Sequence, residues 1–130
     1  MSSPSIVDVV RVDERGKGQL TTLKRRTGVQ NWNVLCRWAL CTSLAEPSRP
    51  ADQEVGPMSN VEMSWSTFGG PQADLFTALV LARCETDGLA LTAEAAAKQF
   101  RLHLHRGLSY LVGTEDTRTL SGLVSLATRD

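Results

Sequence analysis

The sequence has no net charge, no long apolar run, no paired-cysteine motif and none of the short signatures of a common catalytic site. Each absence narrows what the chain can be. Fourteen Lys and Arg balance fourteen Asp and Glu in 130 residues, so the average charge points to neither a nucleic acid nor a membrane partner. No stretch approaches the roughly 18–20 uncharged residues that span a bilayer. The first thirty residues, which include Asp8, Asp13 and Glu14, have no signal-peptide core. A cytoplasmic protein with no membrane partner is the expectation. Cys36, Cys41 and Cys84 are odd in number, and their spacing fits neither a zinc ribbon nor a Cys-x-x-Cys redox pair. They read as reduced thiols in the core. Gly-x-Ser-x-Gly, a Gly-rich phosphate loop with Lys, and His-Glu-x-x-His are all missing. The reading therefore assigns no catalytic residue, no metal ligand and no cofactor, and the protein is not expected to be an enzyme.

The distribution of charge is more informative than its sum. Between Arg11 and Arg37 stand seven cations (Arg11, Arg15, Lys17, Lys24, Arg25, Arg26, Arg37) against two anions, Asp13 and Glu14. Between Leu40 and Leu75 the only cation is Arg49, against five anions. The chain is dipolar along its length.

At this length one domain with one core is expected over residues 1–130, with the "MSSPS" lead-in, Met1 to Ser5, disordered. "IVDVVRVD" reads as one short strand, which must pair with another strand in the chain or with its twin from a second subunit. A first helix is predicted from near Asp13 to Gly28, with Leu20, Leu23 and Thr27 on one face and Lys17 and Lys24 together on a neighbouring one. A second, capped by Asn31 or Asn33, runs from Val34 to about Glu46, where "EPSRP" stops it. It is apolar nearly all round, with Val34, Trp38, Cys41 and Ala45 in one stripe and Leu40 and Leu44 opposite. A domain of this size rarely covers one helix on every side, which suggests that another subunit does so.

"VEMSW" could form a second strand, and Gly69-Gly70-Pro71 a break. A third helix is predicted from about Gln72 to Thr86, with Leu75, Leu79 and Ala82 on one face beside Phe76 and Val80, and Gly88 ending it. Thr92 can cap a fourth through Leu111, with Phe100, Leu104, Leu108 and Leu111 as its core stripe. A short last helix, Leu120 to Ala127, completes a mainly α chain with a short N-terminal strand.

"FRLHLHRGLSYL" places His103 two residues from His105. Residues two apart on a helix point about 200° apart, so the pair is not a metal chelate. One ring packs inside and the other faces solvent in this reading. "LKRRTG" is the strongest signal. A basic cluster can be a solvated face, but its concentration at one end of a dipolar chain favours phosphate contacts, which give affinity without reading bases.

The order strand, helix, Gly28, helix resembles the ribbon-helix-helix DNA-binding fold. A second resemblance covers nearly the whole chain. "LKRRTG", Asn33, "LCRWAL", "SLAEPS" and "FRLHLHRGLSYL" are similar in content and order to the DndE family of the DNA sulfur-modification, or phosphorothioation, system. The resemblance implies a helical homotetramer that binds double-stranded DNA, preferentially nicked, through lysine-rich surface. It also implies partner proteins of that system: a cysteine desulfurase, an iron–sulfur protein and an ATPase that carry out the sulfur chemistry. On this resemblance Lys17 and Lys24 are the candidate phosphate contacts, with Arg25 and Arg26 beside them. Arg37 could serve DNA or form a structural ion pair with Glu46 or a neighbour. The rival readings are a ribbon-helix-helix transcriptional regulator, dimeric and sequence-reading, and a DNA-free scaffold of the modification complex. An intrinsic nickase would have to depend on His103 or His105.

Overall fold

The first strand finds its partner within its own chain. A computed structural model describes residues 6–53 and 56–113; Met1 to Ser5, the Glu115-Asp116 pair and the helix predicted over Leu120 to Ala127 lie outside them. β1, Val9–Asp13, pairs antiparallel with β2, Met58–Ser64, in the register Val9 to Ser64, Val10 to Met63 and Arg11 to Glu62. The register slips between Arg11 and Asp13. Ser59 bridges the slip by donating its hydroxyl to the Val12 carbonyl at 2.6 Å and accepting the Val61 N–H at 3.0 Å. Val10 and Val12 alternate inward and are buried, as period-two patterning requires.

α1, Glu14–Thr27, begins where the sequence predicts, with the Asp13 carboxylate accepting the Gly16 N–H at 2.7 Å. It ends at Gly28, whose φ of 78° is the left-handed conformation that glycine takes without a Cβ penalty. Leu20 and Leu23 are fully buried. α2, Trp32–Ala45, starts two residues earlier than predicted. Asn31 holds the cap position but makes no side-chain cap bond, while Asn33 donates instead to the Thr67 carbonyl at 3.2 Å.

α2 is the central helix. Leu35, Cys36, Ala39, Leu40 and Ser43 are fully buried, chiefly against α5, Ala93–Gly113, and also against the short α3, Trp65–Gly69. Most of the cover expected from a second subunit therefore comes from the chain itself. The predicted stripe of Val34, Trp38 and Cys41 is only half-buried and Ala45 is exposed.

Trp65 starts α3 rather than ending β2, because Ser64 caps the new helix by accepting the Thr67 N–H at 3.1 Å. Its ring forms a cluster with Phe68 and Phe100, at centroid distances of 5.1 and 5.0 Å, and Phe68 meets Phe76 at 5.4 Å. The cluster decides which side of α4, Ala73–Thr86, faces inward. Phe76, Thr77, Val80 and Cys84 are buried, whereas Leu75 is 50% and Leu79 39% exposed. The face predicted from Leu75, Leu79 and Ala82 is thus the outer one. In α5, Thr92 caps as predicted, accepting the Ala95 N–H at 3.1 Å, and Phe100, Leu104, Leu108 and Leu111 are buried. The result is a mainly helical chain with a short N-terminal strand hairpin. No helix among the described residues is long and apolar enough to cross a membrane.

A candidate nucleic-acid interface

The cations of α1 separate around its axis. Lys17 and Lys24, seven residues apart, share a flank. Lys17 donates to the Asn60 side-chain oxygen on β2 at 2.7 Å, and the Lys24 ammonium sits 4.3 Å from the centroid of the Trp32 ring. Arg25 is exposed, with no partner among the described residues. Arg26, about 200° from Lys24 around the helix, turns to the other flank and donates to the Val112 carbonyl of α5 at 2.7 Å. The structure therefore leaves Arg25 exposed and holds Lys17 and Lys24, both half-buried, on the flank that meets β2 and Trp32. It sets Arg26 apart as a clasp between α1 and α5. Arg37 does not meet Glu46; its guanidinium reaches the Gly69 carbonyl at 3.5 Å, a link between α2 and the α3 terminus.

A second concentration of charge escapes the linear reading. A surface groove of about 410 Å³ lies between α1, the loop after α2 and α5, and Arg15, Arg49, Arg101 and Arg106 line it. Among the described residues Asp13 is the one acid on its wall. Two of these arginines flank the histidines in "FRLHLHRG", but nothing in the sequence places them beside Arg15 or Arg49.

The two histidines occupy different junctions. His103 is buried between α5 and α2, its Nδ1 2.8 Å from the Ser43 hydroxyl, which also accepts the Arg106 Nε–H at 2.8 Å. A hydroxyl can accept twice and donate once, so the contact at Nδ1 fits either tautomer of the ring, and in both Nε2 has no partner among the described residues. Burial, then the positive charge of Arg106 and Arg83, pushes the His103 pKa down to about 4. Arg106 and Arg83 also close the end of α2, donating to the carbonyls of Ser43 and Leu44 at 2.8 and 2.9 Å. Cationic groups are stabilising at a helix C-terminus.

His105 is partly buried between α1 and α5, so neither ring of the pair stands fully in solvent. Its Nε2 accepts the Asp13 backbone N–H at 3.2 Å and lies 3.5 Å from the Asp13 carboxylate. Nδ1–H donates to the Arg101 carbonyl at 2.8 Å. Among the described residues no three His, Cys, Asp or Glu side chains converge as a metal site. Cys36 and Cys84 are buried and Cys41 half-buried, all as free thiols, and burial pushes Cys36 up to about 12.

The family model described as DNA sulphur modification protein DndE matches residues 9–119, from the first strand past the last described helix. The chain belongs to the DndE family. Membership implies involvement in DNA sulfur modification and association with that system. The match takes in the α1 cluster and all four groove arginines. None of the curated proteins compared with the chain matches it.

Proposed function

We propose that this DndE-family chain is a DNA-binding accessory protein of the sulfur-modification system. It holds the backbone of duplex DNA, with a preference for nicked duplex, and has no catalytic centre of its own. The observation that supports the reading is the basic flank of α1, where half-buried Lys17 and Lys24 share one side and exposed Arg25 stands next to them, on a chain whose family serves DNA modification. Lysine and arginine there neutralise phosphates and release counterions, so recognition follows the backbone and not the bases. Arg26 supports the same surface indirectly, by fixing α1 to α5.

The protein acts as a homotetramer in this reading. Leu75 and Leu79 on α4, together with the half-buried stripe of α2, supply apolar surface for self-association. Four copies of a weakly binding basic helix then act as one multivalent site.

The test is binding to matched intact and nicked duplexes across a salt series, with the mass in solution measured by light scattering. Each lost phosphate contact lowers the slope of log K against log salt by about 0.9 on B-DNA. The Lys17→Ala, Lys24→Ala double variant is expected to lose roughly 2 from the wild-type slope, and the wild type to favour the nicked duplex. Unchanged slope and affinity in the variant would reject the assignment of these residues, and a wild type that binds no duplex at all would favour the scaffold reading. A mass below four chains would remove the tetramer.

A further inference from the structure

The groove between α1, the loop after α2 and α5 has the features of a binding site separate from the basic flank of α1. Four arginines line it, and they are not equivalent. Arg106 is committed, with its guanidinium bonded to Ser43 and Ser48 at 2.8 Å; it holds the loop against α5. The side chains of Arg15, Arg49 and Arg101 have no hydrogen-bond or ion-pair partner among the described residues. Asp13, the one acid on the wall among the described residues, has a carboxylate oxygen held by the Gly16 N–H at 2.7 Å. Three guanidinium groups without a partner among the described residues therefore line one concavity, where low-dielectric walls focus their field.

The walls are built as well as charged. α1 and α5 are tied across the groove by the Gln19 amide, which donates to the Ser109 hydroxyl at 3.1 Å, and by the Asp13 N–H bond to His105. Arg15 and Gln19 are four apart on α1; Arg101 and His105 are four apart on α5, so each pair shares a face. Tyr110 stands on the wall, 40% exposed, with its ring centroid 5.6 Å from the Arg106 guanidinium carbon.

We infer that this groove binds the phosphate of a single nucleotide-sized unit, with Arg15, Arg49 and Arg101 as the phosphate ligands and Tyr110 as a face for the base. Arginine matches a phosphate in bidentate geometry, and aromatic rings stack bases without sequence preference. A volume of about 410 Å³ falls in the range of small-ligand sites and admits one strand, not a duplex. The shared chemistry is a phosphate ester, whose source is either a single-stranded DNA segment or a free phosphate compound. The inference deepens the DNA-binding reading and rests on it only for the DNA source.

The experiment measures anisotropy of a labelled single-stranded hexadeoxynucleotide and, separately, of a labelled intact duplex, with inorganic phosphate as competitor. Three proteins are compared: wild type, Arg15→Gln with Arg49→Gln, and Lys17→Ala with Lys24→Ala. Arg15 and Arg49 are both exposed, so the fold is expected to survive their loss, and circular dichroism checks it. Arg101→Gln serves as the second groove variant.

Loss of single-strand affinity by about tenfold or more in the groove variants, with duplex affinity retained, is the expected result. The lysine variant should show the reverse pattern. If wild type binds the hexamer through the groove but no duplex, the groove stands while the duplex reading falls. If inorganic phosphate alone binds as tightly as the hexamer, and the groove variants lose it, the site is one for free phosphate. Single-strand and phosphate binding that are both unaffected in the groove variants would overturn the inference, whatever the duplex result.

Discussion

Gly107 on α5 lies so close to Ala39 on α2 that a Cβ at this position would fall on the Ala39 carbonyl. The most extensive contact between described elements, that of α2 with α5, passes through this point, and the glycine sets how near α5 can come. Ordinarily an alanine in a helix interior is worth about 1 kcal/mol over glycine, so the sign of the substitution reports the packing.

Gly107→Ala is expected to lower stability by about 1–3 kcal/mol despite its higher helix propensity, because α2 and α5 must separate to admit the methyl group. Gly18→Ala, in α1 with nothing within 4 Å of an added Cβ, should instead raise stability by about 0.5–1 kcal/mol. Urea midpoints of the two variants measure both. Equal effects of either sign would show that the α2–α5 contact is looser than described.

His103 makes stability depend on pH in a defined window. Its pKa falls from an ordinary 6.5 to about 4 in the folded protein, first through burial and then through Arg106 and Arg83. Below pH 6.5 the unfolded chain protonates this ring and the folded one does not, so the unfolded state gains. The contribution is complete above pH 6.5, declines as pH falls and is gone below about 4, a change of up to about 3 kcal/mol. His103→Asn retains a polar group near Ser43 but does not titrate. Its stability, lower at pH 7, should fall less steeply than wild type between pH 6.5 and 4. Parallel curves would mean that the folded ring takes up its proton normally.

Ser43 serves two partners with one hydroxyl, accepting from Arg106 and bonded to His103 Nδ1 at 2.8 Å each. Ser43→Ala removes both bonds at a fully buried position, and His103 Nε2 has no partner among the described residues. A loss of about 1–3 kcal/mol is expected in thermal or chemical unfolding. A neutral result would place water in the junction.

Helix boundaries were readable where local chemistry sets them. Asp13, Gly28, Thr92 and the Phe100 to Leu111 stripe carry caps or periodicity that need no knowledge of the rest of the chain. The face of α4 was not readable, because Leu75 and Leu79 are as apolar as Phe76 and Val80. The choice between them falls to Trp65, Phe68 and Phe100, brought together only by the fold. That α5 supplies most of the cover of α2 was not readable for a related reason: the close approach of α5 depends on one glycine at position 107. Of the candidate site, the two flank lysines were legible from seven-residue spacing. The groove was not, since Arg15, Arg49 and Arg101 come from separate segments.

Adjacent arginines on α1 have opposite assignments, which gives the sharpest separation of binding from stability. Arg25 is exposed and has no partner among the described residues, so Arg25→Ala should leave stability within about 0.5 kcal/mol and lower the duplex salt slope by about 0.9. Arg26 holds the Val112 carbonyl at 2.7 Å. Arg26→Ala loses a charge-assisted bond between α1 and α5, and about 1–2 kcal/mol of stability with it, while the salt slope stays near wild type. Unfolding midpoints and salt titrations on the two variants distinguish the roles. If Arg26→Ala flattens the slope and leaves stability intact, its guanidinium leaves Val112 for a phosphate, and the basic surface extends around the helix toward the groove.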